Sequence, residues 1–89
     1  MEMKAAIKLA KDHVAELFSD DGGRDFVLEE IERIGSVWRV TIGFARPIPI
    51  YTNLEQQDFV APLRRTFKVV KFRDDDQQII SVRDREKAN

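Results

Sequence analysis

Trp38-Arg39-Val40-Thr41-Ile42-Gly43-Phe44 is the stretch that decides the fold. Trp38, Val40, Ile42 and Phe44 fall on one side of an extended chain, and Arg39 and Thr41 fall on the other, because successive side chains of a strand alternate between faces. Such one-sided patterning predicts an antiparallel sheet with one dry face and one wet face. The dry face needs a cover, and the N-terminal segment has the pattern to supply it.

Between Met3 and Phe18 the apolar residues Met3, Ile7, Ala10, Val14, Leu17 and Phe18 recur at helical spacing, with Ala6 widening the stripe. Lys4, Lys8, Lys11, Asp12 and Glu16 lie off it. No Pro or Gly interrupts the run, and Ser19-Asp20-Asp21-Gly22-Gly23 ends it. The first strand, Phe26 to Ile34, alternates imperfectly, and its Glu29-Glu30 pair fits a β-bulge that shifts the phase. Gly35-Ser36 then marks a tight turn into the Trp38 strand.

A third strand, Thr66 to Arg73, carries Phe67 and Val69 on one face and Val70 and Phe72 on the other. Asp74-Asp75-Asp76-Gln77-Gln78 turns it into a fourth, Ile79 to Arg83, with Ile80 and Val82 expected inward. The expected fold is α+β: one N-terminal helix packed on a four-stranded antiparallel sheet, α-β-β-β-β, as a single domain over residues 1–89. Asp84 to Asn89 reads as a solvated tail.

Arg46 to Arg64 joins the second and third strands and exceeds the ~12–15 residues usual for a structureless loop. It is oily, and Pro47 and Pro49 exclude it from a central strand. Two readings stand: the loop packs back over its own sheet, or it is a flap for a protein partner or another subunit. On the second reading the partner-contacting residues are Ile48, Ile50, Tyr51, Leu54 and Phe59 of the loop, joined by Val70 and Phe72 of the two-faced third strand.

Composition narrows the chemistry. The 89 residues are 43% hydrophobic and 35% charged, too apolar and too evenly mixed for a disordered chain. Without cysteine there is no disulfide scaffold, thiolate metal site or cysteine nucleophile. A net charge of −1 gives no global attraction to nucleic acid or anionic membrane. Lys8 and Lys11 break any secretory h-region, and no run approaches a membrane span, so the expected location is cytoplasmic.

No catalytic or metal constellation stands out, and no cofactor is expected. His13 is the lone histidine, at the margin of the helical stripe, and reads as a partly buried structural residue. Neither Ser19 nor Ser81 lies in a nucleophile-elbow motif. Asp20-Asp21 and Asp74-Asp75-Asp76 invite a calcium reading, but neither fits the twelve-residue loop, and turn chemistry explains both. Basic residues gather late in the chain. Arg39, Lys68 and Arg83 are expected to align opposite Glu30 and Glu32 on one sheet face as cross-strand ion pairs, with a nucleic-acid patch as the less favoured alternative.

The Ala-rich helix start Ala5-Ala6-Ile7, the Glu-rich first strand Glu29-Glu30-Ile31-Glu32 and the hairpin return Asp76-Gln77-Gln78-Ile79-Ile80-Ser81-Val82 together resemble the PepSY domain family. The sequence departs from that pattern where Gln77 or Gln78 replaces the family's turn glycine, and in the proline-containing insertion. A cystatin-like helix-on-sheet domain shares the outline. The resemblance implies a role in inhibiting or modulating peptidases. The expected function is a non-enzymatic protein-interaction or regulatory module, with a protein partner or homodimer and no nucleic acid or membrane. The alternative is a small-molecule binder or minor enzyme with a pocket between helix and sheet near His13 and Trp38.

Overall fold

The computed structural model describes residues 1–47 and 63–85. Helix α1 spans Met3–Phe18, and a 3-10 turn, Ser19–Asp21, follows it. Strands β1 (Arg24–Ile34), β2 (Val37–Pro47), β3 (Leu63–Arg73) and β4 (Ile79–Asp84) form one antiparallel sheet in the order β1-β2-β3-β4. The α+β architecture expected from the patterning is the observed one.

Gly22 stops the helical segment in the left-handed conformation, φ 82°, and its N–H donates to Ser19 O at 3.0 Å. The Gly23 N–H donates to Phe18 O at 2.9 Å. These bonds satisfy carbonyls that a helix end leaves without partners. Gly22 also lies against Pro47, whose Cδ would be 2.9 Å from any added Cβ.

The core lies between α1 and one sheet face. Ala6, Ala10 and Val14 are fully buried against Val40, Ile42, Phe44, Val70 and Phe72, with Trp38 alongside. Two alanines at the contact keep the helix close to the sheet, where larger side chains would hold it off. Phe44 is flanked by two rings, Phe18 at 5.2 Å and Phe26 at 5.0 Å between centroids. The stripe is narrower than its spacing implies: Met3 and Leu17, in the first and last turns, are about half exposed.

Two irregularities set the phase of β1. Leu28 pairs with Ile42 and Glu30 with Thr41, so Glu29 is the extra residue of a bulge, in the Glu29-Glu30 pair where the broken alternation places one. A second lies between Arg24 and Val27, where Asp25 takes φ 59°. A third irregularity corrects the expected fourth strand. Phe72 pairs with Ile79 and Lys71 with Ser81, so Ile80 is bulged out and half exposed, and Ile79 joins Val82 against the core in its place.

β2 and β3 run beyond the expected loop boundaries, pairing as far as Pro47 and Leu63. Proline is tolerated there because β1 ends its pairing at Ala45, leaving that end of β2 an edge with no ladder bond to donate. The proposed loop contacts Ile48, Ile50, Tyr51, Leu54 and Phe59 lie outside the described residues, as do residues 86–89.

Candidate interaction surface on the open sheet face

The face of the sheet turned away from α1 follows from register. Glu30 pairs with Thr41, Thr41 with Val69, and Val69 with Arg83, forming one row across all four strands. The neighbouring row is Glu32, Arg39, Lys71 and Ser81. On the other side Val27, Gly43 and Phe67 align, and the Arg85 N–H donates to Phe67 O at 3.2 Å. Carboxylates therefore line the Glu29–Glu32 part of the β1 side, with Arg24 at its start opposite Ala45, and cations the β3–β4 side.

Two ion pairs stitch the face. Arg39 Nη1 lies 3.4 Å from Glu32 Oε1 in the adjacent strand. Arg65 Nη2 donates to Glu29 Oε1 at 2.7 Å, spanning from β3 to β1 over the intervening β2. That span is possible because residue 43 is glycine: a Cβ there would be 2.7 Å from both Arg65 Nη2 and Glu29 Oε1. A glycine inside a strand is the sequence signal for such a close approach, and Gly43 carried it without being read that way.

Of the apolar residues on the outer side of β3, Val69 is buried and the Phe67 ring is sheltered by arginines. Val69 is 7% exposed, and Arg65 and Arg85 flank the Phe67 ring with guanidinium carbons 5.6 and 3.9 Å from its centroid. Arginine over an aromatic face is an attractive arrangement that also buries the aliphatic stem. Phe67 is thus an aromatic set among basic residues on this face, a feature that the alternation of β3 held and the charge reading missed. Among the described residues, Lys71, Arg83 and Arg85 have no carboxylate at ion-pair distance. A shallow groove of about 270 Å³ opens here, bordered by Glu30, Ile31, Glu32, Arg39, Thr41, Val69 and Arg85.

Lys68 departs from the expected alignment. It pairs with Ile42, so it shares the helix-facing side with Val70 and Phe72. Its ammonium lies 5.1 Å from the centroid of the Phe18 ring and binds the Asp84 carboxylate. That hydrogen bond and charge hold the Asp84 carboxyl below its ordinary pKa. Arg39 and Arg83 do sit on the outer face with Glu30 and Glu32, and of these Arg39–Glu32 forms the ion pair. Val70 and Phe72 are fully buried in the helix–sheet core, so the β3 apolar residues available to the open face are Phe67 and Val69.

The Asp74–Asp76 turn uses its carboxylates internally. Asp75 Oδ1 accepts from the Asp76 N–H at 2.7 Å, and Asp76 Oδ1 accepts from the Gln78 N–H at 3.0 Å. Asp74 accepts from the Trp38 indole N–H at 2.8 Å, and its carboxylate also meets Arg33 and the Met1 α-amino group, each at 3.2 Å. The Trp38 bond, with those two charges, keeps the Asp74 carboxyl below the usual range. The backbone N–H of Asp76 does the same for Asp75. Among the described residues no group of three or more His, Cys, Asp or Glu side chains is arranged to hold a metal ion. His13 is half-buried on α1.

Among the described residues no helix is long and apolar enough to cross a membrane. Comparison with known proteins finds no match to this chain, whether among family models, curated proteins or solved structures.

Proposed function

We propose that the protein is a small non-enzymatic interaction or regulatory module whose working surface is the helix-free face of the sheet. The observation that carries this reading is the segregation of charge on that face. Glu29, Glu30 and Glu32 lie on one side, and Arg65, Lys71, Arg83 and Arg85 lie on the other, around the sheltered Phe67 and Val69. A rigid sheet with fixed charges favours recognition of a second charged surface, where complementarity sets specificity and encounter rate. The resemblance to PepSY domains supports a peptidase as one such partner. The small-molecule alternative draws less support, since Ala6, Ala10 and Val14 fill the helix–sheet contact and the Trp38 indole N–H is already bonded to Asp74.

The test is quantitative capture of proteins from the native host by the wild-type chain and by a Lys71→Glu/Arg85→Glu variant, with thermal melts confirming that both are folded. A partner retained by the wild type and lost from the variant is expected. Identical retention by both would rule out this face as the working surface.

A further inference from the structure

Resting on that reading, we propose that the partner of the open face is a second copy of this chain, docked face to face about a two-fold axis parallel to the strands between β2 and β3. The row Glu30–Thr41–Val69–Arg83 runs across the sheet as acid, small polar, apolar, base. A two-fold axis along the strands reverses the order of the strands in the facing copy and leaves position along them unchanged. Glu30 then faces the partner's Arg83, Arg83 faces the partner's Glu30, and Thr41 faces the partner's Val69. One row is complementary to itself, the requirement for an isologous contact and the commonest oligomer symmetry.

The remaining observations fit. Glu30 and Arg83 are both exposed, and neither takes part in an ion pair among the described residues, so both charges are available. Val69 and Thr41, at 7% and 3% exposure, are already covered within one copy, so the contact is carried by the flanking charges of Glu30 and Arg83. With a net charge of −1, two copies repel each other weakly. The row one step along sets Arg39 against the partner's Lys71, but the Arg39 charge is already offset by Glu32 at 3.4 Å. Packed sheets also twist apart by about 30°, so rows away from the centre meet less directly. Four strands at a ~4.8 Å spacing and a ~3.3 Å rise offer roughly 500 Å² of face. That is below the ~800 Å² per partner of a standard stable interface, so the dimer is a weak one that salt weakens further.

The experiment is sedimentation velocity on the purified chain across a concentration series into the millimolar range, at low and high salt. Wild type is expected to self-associate, less so at high salt. Glu30→Arg and Arg83→Glu should each weaken association about tenfold by setting like charges together. An equimolar mixture of the two variants should recover it, because every copy of one then meets its complement in the other. The double variant Glu30→Arg/Arg83→Glu should recover it within a single chain, which also excludes misfolding as the cause of the losses. A wild type that stays monomeric throughout overturns the proposal. So does a mixture that associates no better than its components, which would place the contact elsewhere. In either case, loss of a different protein from the Lys71→Glu/Arg85→Glu variant would leave the interaction-module reading standing by itself.

Discussion

Glu29 and Arg65 are joined by a 2.7 Å hydrogen-bonded ion pair that crosses an entire strand, passing over Gly43. The pair exists because two local features coincide. The bulge at Glu29 re-aims a carboxylate along the face, and the missing side chain at residue 43 leaves it a path. Both residues are partly exposed, so the pair is worth ~0.2–1 kcal/mol. A double-mutant cycle with Glu29→Gln and Arg65→Gln should return a coupling of that size by urea denaturation. The same cycle in a Gly43→Val background should return none, since the new side chain occupies the path. Equal coupling in both backgrounds would contradict the assigned role of Gly43.

Truncating the centre of the aromatic cluster should be severe. Phe44 is fully buried and stacked between Phe18 and Phe26, so Phe44→Ala is expected to cost about 3–5 kcal/mol. A domain of this length has about 4–13 kcal/mol in all. Denaturant titration should therefore show a midpoint moved far down, with the chain unfolded outright if its total lies near the lower figure, whereas an exposed change such as Leu17→Ala should move the midpoint little.

Gln77 offers the opposite sign. Its φ of 58° places it in the left-handed region, where a β-carbon is disfavoured, and its N–H donates to Arg73 O at 3.1 Å to close the turn. Gln77→Gly relieves that strain, partly offset by the greater freedom of glycine in the unfolded chain. A net gain of up to about 1 kcal/mol is expected, read as a higher melting temperature. A loss would show that the Gln77 side chain contributes more than its backbone costs.

Acid should be felt at Trp38 through Asp74. The Asp74 carboxyl is held below its ordinary value of 3.8, foremost by the bond from the Trp38 indole. A depressed folded value means that the carboxylate's contribution is fully present above the ordinary pKa and is lost as pH falls through the folded one. Trp38 is the only tryptophan, so its fluorescence reports the bond directly. The expected result is a spectral transition below about pH 4 that flattens in Asp74→Asn. An unchanged transition in that variant would assign it to another group.

Much of this architecture is legible in the chain because its signals are local. The limits of α1 follow from an uninterrupted 3.6-residue period ended by Gly22-Gly23, and the sides of β2 follow from strict alternation. The bulge in β1 shows as two adjacent glutamates where alternation demands one. What is missed depends on pairing between strands. Lys68 has the parity of Val70 and Phe72, yet its charge suggests the wet face. It reaches the helix side because its ammonium finds Asp84 and the Phe18 ring there. Ile79 and Ile80 are chemically equivalent, and which one turns inward is fixed by a bulge that no residue type announces. The partner-facing assignment of Val70 and Phe72 met the same limit, since two apolar faces on β3 do not say which one the helix will take.

The broken ladder of β1 has a consequence for strand pairing beyond the sheet's own edge. An edge strand with an even row of free backbone groups is a template for fibre growth, strand upon strand. Here one edge is an 11-residue strand interrupted twice and studded with Glu29, Glu30 and Glu32, and the other is a 6-residue strand kinked at Ile80 and bearing Arg83 and Asp84. Neither offers a straight, uncharged rail. Among the described residues the sheet is guarded at both edges against lengthening sideways.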